Sequence, residues 1–132
     1  MTIEEWHAFI TAHLPEPVRV EEGAGDDIWF TGGDPGQVIV RLRPRSIAVY
    51  EYTVRAEAGP PAVFPRFVGS LHPRGVDDSR AMSIVQSLID AARERRAGRF
   101  RVCRVCGERR PPEWMAQEVC EDCAEGRLDV VH

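Results

Sequence analysis

Four cysteines form two Cys-x-x-Cys pairs in the last quarter of the chain, and no other cysteine is present. Thirteen residues separate the first pair from the second. This spacing lets four thiolates converge on one tetrahedral Zn²⁺, and a single ion would use every thiol. The sequence therefore predicts one zinc ion per chain, bound by Cys103, Cys106, Cys120 and Cys123.

Two disulfides or a redox dithiol are the alternatives to a zinc site. Disulfides need an oxidising compartment, and the first five residues, MTIEE, have neither the basic nor the apolar region of a signal peptide. A redox Cys-x-x-Cys would use one pair and leave the other idle. We therefore expect a cytoplasmic zinc protein.

The residues around the two pairs differ in a way that indicates the fold of the zinc module. Gly107 follows the first pair and allows the left-handed turn of a zinc knuckle. Glu121 and Asp122 lie inside the second pair and suit the first turn of a helix. A knuckle, a short hairpin and a ligand pair that opens a helix make up a treble clef, which the stretch 101–132 resembles. A zinc ribbon, built from two knuckles, is the alternative, although the second pair lacks the usual glycine.

Four cysteine ligands indicate a structural ion. Catalytic zinc keeps an open position, whereas a four-thiolate shell is closed. Nucleobase deaminases combine Cys-x-x-Cys with a His-x-Glu pair, and none of the four histidines here starts one. We expect no zinc chemistry, and an enzyme with an unidentified active site in the sheet domain is the alternative.

Composition excludes several further classes of protein. All seventeen basic residues are arginine, so the chain has no lysine for a Walker-type phosphate loop or a Schiff base. No run of eighteen apolar residues exists, so we expect no membrane span.

The body of the chain predicts an α+β fold. Thr2 and Glu5 form a capping box before an apolar helical pattern that ends before Pro15. Strand patterns follow at 28–30, 37–42 and 47–54, with a possible fourth around 63–71 that Pro65 would limit to an edge position. A long helix opens near Asp78, with Gly98 as its expected stop. The predicted architecture is an N-terminal helix, an antiparallel sheet of three to four strands, a long helix and a treble-clef-like zinc module.

We place the α+β domain at 1–99 and the zinc module at 100–132. At about 100° per residue, Arg96 falls on the apolar stripe of the long helix, with Val85 and Ile89. The helix must therefore have left the sheet there, or must turn this side toward a polar group.

Arginine is concentrated where the two regions meet. Residues 91–110 hold eight arginines against two glutamates, although the whole chain has a net charge of −4. Such a basic segment beside a zinc knuckle suits phosphate backbones or an acidic protein surface, and it could instead screen the negative metal site. A binding or adaptor module and a nucleic-acid-binding regulatory protein are therefore both open. The candidate partner-binding residues are Arg93, Arg96, Arg99, Arg101, Arg104, Arg109 and Arg110.

Overall fold

The computed structural model describes residues 1–56 and 59–131, with side chains as far as residue 126. His132, the last residue of the predicted zinc module, lies outside the described residues. The chain forms two compact units, Met1–Arg96 and Ala97–His132. Within the described residues, no helix is both long and apolar enough to cross a membrane.

The first helix, α1, spans Ile3–His13 and has the predicted capping box. The Thr2 hydroxyl accepts a hydrogen bond from the Glu5 amide, and the Glu5 carboxylate accepts one from the Thr2 amide. Both bonds satisfy amides that a helix start leaves without partners. The helix ends before Pro15, as predicted, and buries Trp6 and Ile10.

Five antiparallel strands form the main sheet of the first unit, which confirms the α+β class. Its strands are, in spatial order, β1 (Val18–Glu22), β2 (Ile28–Gly32), β3 (Val38–Leu42), β4 (Ile47–Glu51) and β7 (Arg66–Leu71). The sheet is wider than predicted because β1 is a separate strand that pairs with β2. The sequence of β1, VRVEE, is mostly polar and exposed, so its strand signal is weak.

Two predicted strands are shorter than expected. The strand predicted at 47–54 ends at Glu51, and Val54–Arg55 forms a separate strand, β5, which pairs with β6 at Ala62–Val63. The strand predicted around 63–71 is interrupted at Pro65, because proline has no N–H for the ladder. Beyond it, β7 is an edge strand, as predicted.

The second helix, α2, spans Asp78–Arg99 and begins where the sequence predicts. It continues one residue past Gly98, which was the expected stop. Its buried residues pack with α1 and with one face of the sheet in a single core. The fully enclosed members of this core include Ile10, Phe30, Val40, Val49, Val85 and Ile89.

Arg96 lies on the buried stripe of α2 and is only 1% exposed. Its Nε donates a hydrogen bond to the Gly36 carbonyl at 2.9 Å, and its guanidinium lies 5.2 Å from the centre of the Tyr52 ring. The sequence allowed either that the helix leaves the sheet at Arg96 or that it turns this side toward a polar group. The structure shows the second arrangement. A buried cation is tolerated only where such partners replace water.

We predict that Arg96→Ala destabilises the first unit, because the Gly36 carbonyl would lose its donor and the core would gain a cavity. The free energy of unfolding should fall by about 2–4 kcal/mol, measured by urea denaturation.

Arg95→Ala is the matched control, because Arg95 is the exposed neighbour on the same helix and arginine and alanine are both good helix formers. Its effect should stay within about 0.5 kcal/mol. Equal effects of the two substitutions would contradict a stabilising role for Arg96.

Candidate metal centre

The second unit consists of two short hairpins and a helix. In the first hairpin, β8 (Arg101–Val102) pairs with β9 (Arg109–Arg110). In the second, β10 (Met115–Ala116) pairs with β11 (Val119–Cys120). A single 3-10 turn at Pro112–Trp114 joins them, and α3 follows at Glu121–Val131.

The first cysteine pair lies in the turn of the first hairpin, where the backbone folds around a sulfur atom. The Gly107 amide donates to the Cys103 carbonyl at 2.9 Å, and Gly107 has a φ of 74°. The amides of Val105 and Cys106 lie 3.4 and 3.5 Å from the Cys103 sulfur. Glycine takes this left-handed conformation without strain, so the loop can aim both amides at one sulfur.

The second cysteine pair spans the start of α3. Cys120 ends β11, and Cys123 lies in the first turn of the helix. The Cys120 amide also points at the Cys103 sulfur, at 3.4 Å. Three amides from both pairs therefore converge on one sulfur, as they do around a thiolate that carries negative charge.

The turn of the second hairpin has an unusual backbone. Gln117 and Glu118 have φ angles of 49° and 71°, which two-residue hairpins need but which glycine or asparagine usually supplies. The Glu118 carbonyl accepts a hydrogen bond from the Arg104 amide at 2.8 Å. This bond connects the second turn to the first knuckle, and so helps to hold the two cysteine pairs together.

The four sulfurs are placed to coordinate one metal ion. They all lie within 4.8 Å of one another, and those of Cys106 and Cys120 are 3.9 Å apart. A tetrahedral zinc ion with bonds of about 2.3 Å would hold its sulfurs about 3.8 Å apart. All four cysteines are free thiols, so the disulfide alternative does not describe this structure.

The surroundings of the thiols favour negative charge unevenly. Hydrogen bonds from the amides of Cys106 and Cys120 lower the pKa of Cys103 to about 6. The hydrogen bond between the Cys123 and Cys120 side chains, together with burial, raises the pKa of Cys123 to about 12. Without a cation, negative charge is therefore favoured at Cys103 over Cys123. A bound divalent cation would deprotonate the other thiols as well.

Two of the candidate partner-binding arginines make contacts inside the second unit. Arg109 donates to the carbonyls of Ala97 and Phe100, at 2.9 and 3.2 Å. Arg110 forms an ion pair with Glu108 at 2.6 Å, and its buried Nε has no hydrogen-bond partner among the described residues. Although burial acts to lower the pKa of Arg110, the charge of Glu108 and the interactions with Cys120 and Cys106 raise it overall. Arg110 is therefore a cation close to two of the four cysteines.

The other candidate arginines differ in exposure. Arg96 is buried in the first unit and is not available to a partner. Arg93, also in the first unit, is exposed and donates to the Gln37 side chain at 3.2 Å. In the second unit Arg99, Arg101 and Arg104 are exposed, and so is Arg109 despite its two hydrogen bonds.

Exposed apolar side chains in the second unit were not predicted. Val102 is 54% exposed, Val105 is 46% exposed and Trp114 is 37% exposed. The sequence around the cysteines has no helical or strand-like repeat of apolar residues. This pattern could have indicated that the isolated apolar side chains there would not be buried in a core.

We predict that Arg110→Gln weakens metal retention, because it removes the cation next to the thiolates. Residues that surround metal ligands typically change metal affinity by about 10–100-fold when they are mutated. The rate of metal transfer to a coloured chelator should therefore rise, by about tenfold.

The matched control is Arg101→Gln, since Arg101 lies directly across the hairpin from Arg110 and is exposed. It removes the same charge from the same hairpin and should leave the transfer rate within about twofold, as expected for a screened surface charge. If both variants release metal at the same rate, the prediction is contradicted, because the total charge of the hairpin and not the position of Arg110 would then determine the rate of metal release.

Comparison with known proteins adds no family to this chain. No family model matches it, and neither a curated protein nor a solved structure matches it. The geometry of the four thiols and the charges around them are therefore the indication of a metal site.

Proposed function

We propose that the second unit is a structural zinc module of treble-clef type. The order of its elements supports this type over a zinc ribbon: a knuckle hairpin, a second hairpin, and a helix that begins at the second cysteine pair. Only the first pair lies in a glycine-containing knuckle, whereas a ribbon would need two. Zinc is the ion that four thiolates in a tetrahedral arrangement most commonly bind.

We further propose that the chain is a binding protein that uses this module to contact another protein. The observation that carries the proposal is the exposure of Val102, Val105 and Trp114 in so small a unit. Apolar side chains that a fold leaves in water become favourable when a partner covers them. Arg101 and Arg104 lie beside the two valines in the sequence, so an acidic partner surface with apolar side chains fits best.

A nucleic-acid partner is less well supported than a protein. Residues 97–110 contain five arginines and one glutamate, but residues 111–132 contain one arginine and six acidic residues. A zinc ion with four thiolates adds a charge of −2. The module as a whole is then negative, and Arg109 and Arg110 already have partners within it. Binding to phosphate backbones depends on the number of cations available.

Two pockets in the described part of the first unit were candidates for the enzyme alternative, and neither supports it. A pocket of about 470 Å³ contains Asp27, but hydrogen bonds from Arg41 lower the pKa of this carboxyl and make it a poor base. A shallow pocket of about 500 Å³ contains His13 and three serines. Among the described contacts, His13 bonds to the Phe9 carbonyl at 2.8 Å and to no serine. Neither pocket pairs a nucleophile with a base.

We predict that the purified protein contains one zinc ion per chain and that its removal unfolds only the second unit. The apolar core lies entirely in the first unit, which should therefore stay folded. Elemental analysis checks the metal content. Hydrogen exchange before and after chelation should show faster exchange beyond about residue 101, and unchanged exchange in the main sheet.

Cys123→Ser provides a second route to the same state, because it removes one ligand without a chelator. It should reproduce the local loss of protection. Protein without metal and with four titratable thiols would contradict the zinc site, and a uniform increase in exchange would contradict an independent first unit.

We predict that Val102→Ser combined with Val105→Ser abolishes binding of a protein partner. The full-length chain serves as bait in nuclease-treated extract, and retained proteins are measured by quantitative mass spectrometry. Because Val63 is an equally exposed valine in the first unit, Val63→Ser is the matched control and should retain the partner.

Binding to random single- and double-stranded oligonucleotides, measured by fluorescence anisotropy, tests the nucleic-acid alternative. It should be no tighter than non-specific affinity, about 10⁻⁴ to 10⁻⁶ M at physiological salt. Tighter binding that Arg101→Glu with Arg104→Glu removes would contradict the protein proposal and support nucleic acid. Equal retention of every protein by the valine variants would also contradict it.

A further inference from the structure

One edge of the main sheet is open to pairing. β1 lies at the end of the sheet, and among residues 1–56 and 59–131 no strand pairs with its outer side. Four of its five residues are exposed, and Val20 is 45% exposed. An open edge strand presents unpaired N–H and C=O groups on which another strand can be added.

Backbone hydrogen bonds determine which groups of β1 are free. The Pro17 carbonyl accepts from the Gly33 amide at 3.0 Å, and the Gly23 amide donates to the Asp27 carbonyl at 2.8 Å. Residues 17 and 23 thus bond toward β2, and in an antiparallel ladder every second residue does the same. Arg19 and Glu21 therefore also point their backbone groups toward β2. The backbone groups of Val18, Val20 and Glu22 point to the open edge.

This alternation of backbone groups that point to β2 and to the open edge limits the registers in which β1 can pair with a copy of itself. An antiparallel partner must bond through the same three residues, which leaves three registers with substantial overlap. A register centred on Arg19 places two arginines opposite each other, and one centred on Glu21 places two glutamates opposite each other. Like charges in directly opposed positions are destabilising.

The register centred on Val20 gives the opposite result. It overlaps all five residues and places Arg19 of each copy opposite Glu21 of the other, so that two ion pairs form about one twofold axis. These are non-hydrogen-bonded positions, where opposed Cα atoms approach to about 4.5 Å and side chains are closest. The two Val20 side chains meet at the axis and cover apolar surface that is exposed in one copy.

We propose that β1 is a self-recognition edge, through which two copies of the chain pair antiparallel about Val20 and join their sheets into one. A twofold interface uses the same surface on both copies, so that surface must be complementary to itself. The alternation of Arg19 and Glu21 meets this requirement. The opposite edge lacks this complementarity, because β7 has one charged residue, Arg66, and its pairing with β4 contains a register shift.

Analytical ultracentrifugation of the full chain, over a concentration series from micromolar to millimolar, tests the proposal. The wild-type chain should dimerise reversibly. Arg19→Glu and Glu21→Arg each place like charges in opposition, so each variant alone should raise the dimer dissociation constant by at least about tenfold. When the two variants are mixed, every opposed pair is again of opposite charge, and a one-to-one heterodimer should form.

Arg45→Glu is the matched control, since it makes the same change of charge at an exposed loop position and should leave dimerisation unchanged. Val20→Pro gives a second test, because it removes an N–H that points to the open edge and no bond within the sheet, and the dimer should be lost. A wild-type chain that is monomeric throughout would overturn the proposal. A dimer that persists in Arg19→Glu, or a mixture that forms no heterodimer, would overturn it as well.

Discussion

The fold of Ala97–His132 is limited by the near absence of an apolar interior. Among its described side chains, only those of Cys103, Pro111 and Cys120 are buried, whereas Met1–Arg96 encloses a core of aliphatic and aromatic residues. A segment this short rarely buries enough apolar surface to balance the entropy that folding costs. In the proposed zinc-bound form, four metal-sulfur bonds replace the missing core, and the apolar side chains of Val102, Val105 and Trp114 remain exposed.

The same constraint explains the charges around the site. In the proposed zinc-bound form, four thiolates and one Zn²⁺ have a net charge of −2, which the surroundings must stabilise in a partly buried position. Three backbone amides point at the Cys103 sulfur, and the Arg110 guanidinium lies close to Cys106 and Cys120. Arg109 instead bonds to the Ala97 and Phe100 carbonyls. Part of the basic segment therefore serves the stability of the module, and the arginines available to a partner are fewer than a count of charges suggests.

Short-range signals predicted most of the fold and the centre of the site. Cysteine spacing, the Thr2 capping box and the apolar period of α2 depend on residues a few positions apart, and each was recovered in the structure. The strand β1 was missed because an exposed edge strand has little apolar alternation. The burial of Arg96 was foreseen as a conflict on the helical stripe, but its contacts with Gly36 and Tyr52 come from the tertiary fold, which sequence spacing cannot supply.

Arginine has at least three different physical roles in this chain, and only the structure separates them. Arg96 is buried and bonds to the Gly36 carbonyl, Arg110 lies close to Cys106 and Cys120, and Arg19 alternates with Glu21 along an open edge. Charges on an edge strand are usually understood as protection against unwanted pairing. Their order matters as well as their number, because Arg19 and Glu21 place like charges in opposition in two antiparallel self-pairing registers and opposite charges in the third. The edge strand with the weaker sequence signal is therefore the one for which we propose self-pairing.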